Sequence, residues 1–267
     1  MSTSSEETKR LFFALEVAAP WPEAFPKGRL LEEGCRHMTL AFLGQVPYDS
    51  LKALLPQLPL PSFQLGPVGR FDRCLFLPQR RPRVVAWEVH WYGGERLLAY
   101  QKLLSGWLRK HGCSIEERLF LSHVTLARWP FDKEGWSRLS YQLPMIGRAI
   151  HLYESLGNLR YEPRWSFALT PVFEEISHTA DLAFKIRGEN NQQLFLHAQL
   201  ALAFSFPPFL SFVAEGSPQS IEEIILELNG LVSRADAVIG VPFKAVSYHG
   251  NVVDCEGVLE WEMIVDV

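Results

Sequence analysis

Two short segments hold the residue types that proton-transfer chemistry needs: His37-Met38-Thr39-Leu40-Ala41 and His123-Val124-Thr125-Leu126-Ala127. They agree at four of five positions. Repetition matters here, because a lone strand histidine is usually a hydrogen-bonded core or surface residue. In both copies the histidine and threonine stand two apart, and residues i and i+2 of a strand point to the same face. His37 therefore shares a surface with Thr39, and His123 with Thr125. Two such strands brought side by side set two imidazoles and two hydroxyls around one small cavity. In-line displacement at phosphorus uses that set: a base on one side of the phosphate, an acid on the other, and donors for the non-bridging oxygens. Imidazole serves either role because its pKa lies near neutral pH, and no metal is required. His90, His111, His151 and His197 lack such a context and read as structural.

The elements that must carry these residues are legible in the apolar pattern. Arg10 to Val17 is a compact apolar and aromatic run that fits a strand buried on both faces. Ala18 to Gly28 carries three prolines and has little room for regular helix. Strand character returns at Arg36 to Leu43, so the first histidine lies on a strand. A short helix is expected at Tyr48 to Gln57, then strands near Phe63 to Phe71, Cys74 to Leu77 and Val84 to His90. Leu97, Leu98, Leu103, Leu104, Trp107 and Leu108 give Gly94 to His111 a helical period closed by Gly112. His123 to Ala127 is a further strand, followed by a short helix near Lys133 to Leu139 and a strand pair at Ala149 to Leu156 and Tyr161 to Leu169. Beyond Thr170-Pro171 the pattern predicts a strand at Leu182 to Arg187, helices at Asn191 to Phe204 and Ser220 to Val232, and three C-terminal strands.

A chain of 267 residues suggests two domains. Charge marks the junction. Residues 1–170 hold 22 Lys/Arg against 16 Asp/Glu, whereas residues 171–267 hold 4 against 14. The basic half suits a polyanion, and the dense segment Arg70, Arg73, Arg80, Arg81, Arg83 is a plausible phosphate-facing patch. The acidic half suits cations or a basic partner. Four separated cysteines without a Cys-x-x-Cys pair argue against a zinc cluster and a disulfide framework, and point to reduced thiols in the cytoplasm. Met1 to Lys9 does not read as a signal peptide. The longest apolar stretch, Leu194 to Val213, is broken by His197, Gln199 and Pro207-Pro208 and reads as a buried helix with its following loop, not a membrane span.

Several pieces of the first half, Arg10-Leu-Phe-Phe-Ala-Leu, His37-Met-Thr-Leu-Ala-Phe-Leu-Gly, Ser122-His-Val-Thr-Leu-Ala-Arg and Leu152-Tyr-Glu-Ser, resemble the two-histidine phosphoesterase superfamily, specifically its RNA 2′,3′-cyclic phosphodiesterases, also known as 2′-5′ RNA ligases. The likeness spans Lys9 to Leu169. It implies an α+β domain of two pseudo-symmetric lobes over residues 1–170, with one motif from each lobe facing a cleft. It also implies His37 as the acid that protonates the leaving 3′ oxygen and His123 as the base that activates water, leaving a 2′-phosphomonoester. Thr39 and Thr125 would hold phosphate oxygens, Arg128 the phosphate, and Phe42 would stack on the base. No cofactor is implied for this domain. The Pro-rich stretch before His37 departs from the helix usual in the family there.

In the acidic half, Ser177-His-Thr-Ala-Asp181, Phe243-Lys-Ala-Val-Ser-Tyr-His249 and the terminal Ile264-Val-Asp-Val resemble archease. That likeness implies a small α/β domain over residues 171–267 that assists an RNA-splicing ligase, with a divalent cation on Asp181, Asp266 and the Val267 carbonyl. Oxygen ligands suit calcium or magnesium. The stretch around Ile221 to Val238 is shorter than archease leads one to expect. RNA ends are thus the expected partner of both halves, in RNA repair or tRNA splicing, with no membrane and no DNA. Two alternatives stay open: a non-catalytic module that recruits a ligase to RNA ends, and a phosphodiesterase of small 2′,3′-cyclic nucleotides or ADP-ribose cyclic phosphate.

Overall fold

The computed structural model describes residues 7–115, 119–139, 142–177 and 181–267. The fold is mixed α/β with antiparallel sheets, and the chain divides into two compact units. The first comprises residues 1–18, 22–141 and 147–169, and the second residues 19–21, 142–146 and 170–267.

The first unit begins with strand β1 (Thr8–Ala18), whose residues Leu11 to Leu15 are all buried, as a run apolar on both faces requires. It continues through β2 (Gly28–Leu30), β3 (His37–Pro47), helix α1 (Tyr48–Leu54), β4 (Val68–Leu77), β5 (Val84–Tyr92), α2 (Glu95–Lys110), β6 (His123–Phe131), α3 (Lys133–Arg138), β7 (Pro144–Gly157, in this unit from Gly147 on) and β8 (Arg160–Ala168). The strands hydrogen-bond in the order β2-β6-β5-β4-β7-β1-β3, with β8 branching onto β7. The β4–β7 pairing joins two halves, and each half contains one His-x-Thr strand. β3 and β6 stand far apart in this order yet touch, so the sheet curls until the two motif strands meet. α2 lies against β3, burying Leu97, Tyr100, Leu104 and Leu108, and the Gln101 side chain donates to the Leu40 carbonyl at 3.1 Å. Each fully buried apolar side chain contributes roughly 1.5–3 kcal/mol, so the helix fixes β3 firmly.

Two of the expected strands, near Phe63 to Phe71 and Cys74 to Leu77, are one strand, β4, interrupted by a bulge between Phe71 and Cys74. Asp72 and Arg73 at the bulge are the polar residues that make the pattern look broken.

The Pro-rich segment before β3 holds no α-helix, but it is well anchored. Trp136 of α3 is fully buried, stacks on Phe25 at 5.5 Å and donates from its indole nitrogen to the Lys27 carbonyl at 3.2 Å. This holds β2 beside β6, where Gly28 allows a close approach. A Cβ at that position would meet Ala127 Cβ at 3.1 Å and Phe131 Cβ at 3.2 Å.

The second unit orders its strands as β11-β12-β10-β9, with β9 at Phe173–Ile176, β10 at Leu182–Gly188, β11 at Ala245–Cys255 and β12 at Val258–Asp266. Among the described residues two strands follow the last helix, not three, because β11 and β12 are long. Helix α4 (Asn191–Ser205) is buried nearly all round, as its uniform hydrophobicity requires. Its Asn190 cap accepts from the Gln193 N–H, and the buried His197 donates from Nδ1 to the Arg187 carbonyl at 2.5 Å. Helix α5 (Ile221–Ile239) is capped by Ser220 and runs seven residues past the expected end at Val232, stopping at Gly240, whose φ of 65° a side chain rarely adopts. No helix among the described residues is long and apolar enough to cross a membrane, and the four cysteines are free.

Candidate active site

Both motif histidines stand at the first residue of their strand, and both are held in the same way. The His37 Nδ1–H donates to the Cys35 carbonyl at 2.7 Å, and the His123 Nδ1–H donates to the Leu121 carbonyl at 2.8 Å. A carbonyl only accepts, so Nδ1 carries the proton in each ring and Nε2 carries the lone pair of the neutral form. The repeat in sequence is therefore a repeat in tautomer and orientation. Register extends the parallel, since Glu16 of β1 lies opposite His37 and Glu88 of β5 lies opposite His123. Each glutamate is engaged with another side chain. Glu16 pairs with His151 Nε2 at 2.9 Å, which holds its carboxyl below the usual range, and Glu88 pairs with Arg73.

The surroundings of the two rings differ. His37 is buried among Phe12, Tyr161 and Tyr153, with ring centroids at 4.9, 5.0 and 5.7 Å. Loss of water drives its pKa down to about 4, opposed by the Cys35 carbonyl and reinforced by the nearby Arg128 guanidinium and the His123 and His151 rings. His37 is thus neutral at pH 7 and close enough to feel His123 and Arg128. His123 is half-buried.

A cavity of about 590 Å³ opens onto His37, lined also by Thr39, Phe42 and Arg128, and by Arg10 and Arg29. Four of the six sequence-predicted residues of this unit, His37, Thr39, Arg128 and Phe42, therefore share one pocket. Thr125 lies two residues along the strand from His123, on the same face and opposite Ala86, and neither His123 nor Thr125 is among the lining residues.

The lining contains three arginines and no carboxylate, and none of the three forms an ion pair among the described residues. Arg29 and Arg128 are also directly opposed across the β2–β6 ladder. Like charges in that position oppose folding by roughly 0.2–1 kcal/mol, so the arrangement makes sense for an anionic ligand. None of the five arginines between Arg70 and Arg83 lines this cavity, and Arg73 is taken by Glu88. The dense arginine segment therefore lies apart from the cavity lining. Arg29 was hidden in sequence because a three-residue strand has no periodicity of its own, and its place is set by pairing with β6.

This electrostatics gives a proton-uptake prediction. An anion beside His37 favours the charged ring and raises its pKa from about 4, so binding draws a proton from solvent at any pH between the free and bound values. Calorimetry of sulfate binding at pH 5.5, in two buffers of different ionisation enthalpy, should show uptake of up to about one proton, reduced in His37→Asn. Equal heats in both buffers would contradict it.

In the second unit, the β10–β12 pairing ends with Leu182 opposite Val265, the chain neighbours of Asp181 and Asp266, and Asp266 itself pairs with Ala245 of β11. The Lys244 ammonium donates to the Val267 carbonyl at 2.6 Å and lies 3.8 Å from Asp266 Oδ1. Among the described residues no three His, Cys, Asp or Glu side chains form a metal-binding cluster. His178 falls outside the described residues.

No family model matches this chain, and no curated protein matches it. Among solved structures it is similar to E. coli LigT complexed with 3′-AMP, at 25% identity over 61% of this chain and 99% of that one, with a TM-score of 0.47. A second structure, described as a phosphoesterase, gives 26% identity over 61% and 99% of the two chains, with a TM-score of 0.46. A third, a protein of Thermus thermophilus, gives 20% identity over 60% and 97%, with a TM-score of 0.44.

Proposed function

We propose that the first unit hydrolyses the 2′,3′-cyclic phosphate at RNA ends to a 2′-phosphomonoester. One observation carries the reading: two histidines in the same tautomer, on strands that touch, electrostatically coupled beside an arginine-lined cavity without a carboxylate. His123 Nε2 takes a proton from water as its oxygen bonds to phosphorus. The bond from phosphorus to the 3′ oxygen breaks, and His37 Nε2 gives that oxygen its proton. His37 starts neutral and acquires this proton when the anionic phosphate enters. Proton exchange with solvent then resets both rings. Arg29 and Arg128 hold the non-bridging oxygens electrostatically, with Thr39 and Thr125 as hydroxyl donors. The chemistry calls on no metal, so turnover of a cyclic-phosphate oligonucleotide in the presence of EDTA tests it. Tight binding without turnover would leave the recruitment reading in its place.

For the second unit we propose a cation site of oxygen ligands and, through the archease likeness, assistance to an RNA-splicing ligase. The pairing of Leu182 with Val265, the chain neighbours of Asp181 and Asp266, supports the site. These residues fit a weakly held calcium or magnesium completed by water, with the Lys244 ammonium as its rival for the Val267 carbonyl. Calcium is expected to raise the melting temperature of the wild-type chain and not that of Asp181→Ala. An absent shift in wild type, or an equal shift in the variant, removes the metal.

A further inference from the structure

The cavity extends well beyond the reacting phosphate. Along β3, His37 and Thr39 lie at one end of it and Phe42 and Gln45 at the other. Counted along the β1 ladder at about 3.3 Å per residue, where His37 faces Glu16 and Phe42 faces Phe12, Phe42 stands roughly 13 Å from His37. Arg10, six residues from Glu16 on β1, stands roughly 20 Å along it, beyond the nucleotide that carries the reacting phosphate. Arg10 sits at this far end. It is opposite Gln45 on the adjacent strand, exposed, and lies over the Phe42 ring at 5.0 Å to the centroid. Its neighbour Lys9 points the other way and is neutralised by Glu154 at 3.1 Å, a carboxylate that also holds Arg164. Arg10 forms no ion pair among the described residues. A guanidinium held over an aromatic ring, with no counter-charge of its own, at the end of a groove leading from a phosphate site, matches how single-stranded nucleic acid is tracked: cations for the backbone, ring faces for the bases.

The opposite wall has the same character. Gly157 pairs with Arg160, leaving Asn158 and Leu159 as a two-residue turn with φ of 49° and 64°. Glycine is the usual second residue of such a turn. Leucine stands there instead, and with the half-exposed Leu156 it adds apolar surface to the cavity.

We infer that Arg10 and Phe42 form a subsite for the nucleotide upstream of the cyclic-phosphate terminus, Arg10 taking its phosphodiester and Phe42 its base. The inference rests on the RNA-end reading above and deepens it: the substrate is an oligonucleotide end, not a mononucleotide.

The test compares kcat/KM for a pentaribonucleotide ending in a 2′,3′-cyclic phosphate with that for cytidine 2′,3′-cyclic phosphate. Wild type should prefer the oligonucleotide, and Arg10→Ala should cut the preference about tenfold, the scale of one charged hydrogen bond. The slope of log KM against log salt for the oligonucleotide should fall by about 0.7, one phosphate contact on a single strand, and Arg10→Lys should retain it. A ratio and a slope do not depend on how much of a variant is folded. Turnover of both substrates by wild type without preference, or a preference and slope untouched in Arg10→Ala, overturns the subsite and leaves the proposed activity standing. Turnover of neither substrate overturns both.

Discussion

Replacing either His37 or His123 by alanine is expected to lower kcat/KM on a cyclic-phosphate oligonucleotide by a hundredfold or more, the scale of general acid–base catalysis. The double replacement should fall far short of the product of the two single losses, because a base without its acid partner has little left to contribute. Loss of structure needs separating from loss of chemistry at His37, which is buried against Phe12, Tyr153 and Tyr161. His37→Asn is the informative variant there, since an amide can still donate to the Cys35 carbonyl that now receives Nδ1–H. It should melt near wild type and remain as inactive as alanine. Wild-type turnover in the His37 or His123 variants would end the two-histidine account.

The second large effect concerns Arg29 and Arg128, and it carries opposite signs for affinity and stability. Arg29→Ala removes a charge-assisted contact to the anion, worth about 1.5–3 kcal/mol, so kcat/KM should fall roughly tenfold to a hundredfold. It also removes the cross-strand repulsion with Arg128, so the free protein should be unchanged or more stable by up to about 1 kcal/mol. Arg128→Ala should behave alike, because the two residues face each other across the same ladder. Urea unfolding and steady-state kinetics on the same preparations settle the matter. A variant both less stable and fully active would mean that these arginines serve the fold and not the ligand.

What could be read from sequence follows from which forces are local. The His-x-Thr elements were legible because strand geometry alone puts i and i+2 on one face, and β1, β3, β5, β6 and α2 announce themselves by their apolar periods. Arg29 and Arg10 were not legible as cavity residues. Their places depend on which strands pair, β2 with β6 and β1 with β3, and on a curl that brings β3 to β6. His151 read as structural for the same reason. Its pairing with Glu16, the register partner of His37, brings it close enough to influence that ring. The density of arginine between Arg70 and Arg83 is not the density around the cavity, because charge count ignores partners, and Glu88 claims Arg73. In the second unit α5 was read short because Ser233, Arg234 and Asp236 look like an ending, whereas they occupy the polar face of a helix that continues to Gly240.

The most direct measurement of the central claim is the product formed from RNA ending in a 2′,3′-cyclic phosphate, incubated with the protein in EDTA and resolved by phosphorus NMR. A 2′-phosphomonoester, formed by wild type and lost in both histidine variants, is the result this account predicts. A 3′-phosphomonoester would reverse the assignment of the leaving oxygen, and an unchanged cyclic phosphate would contradict the catalytic reading altogether.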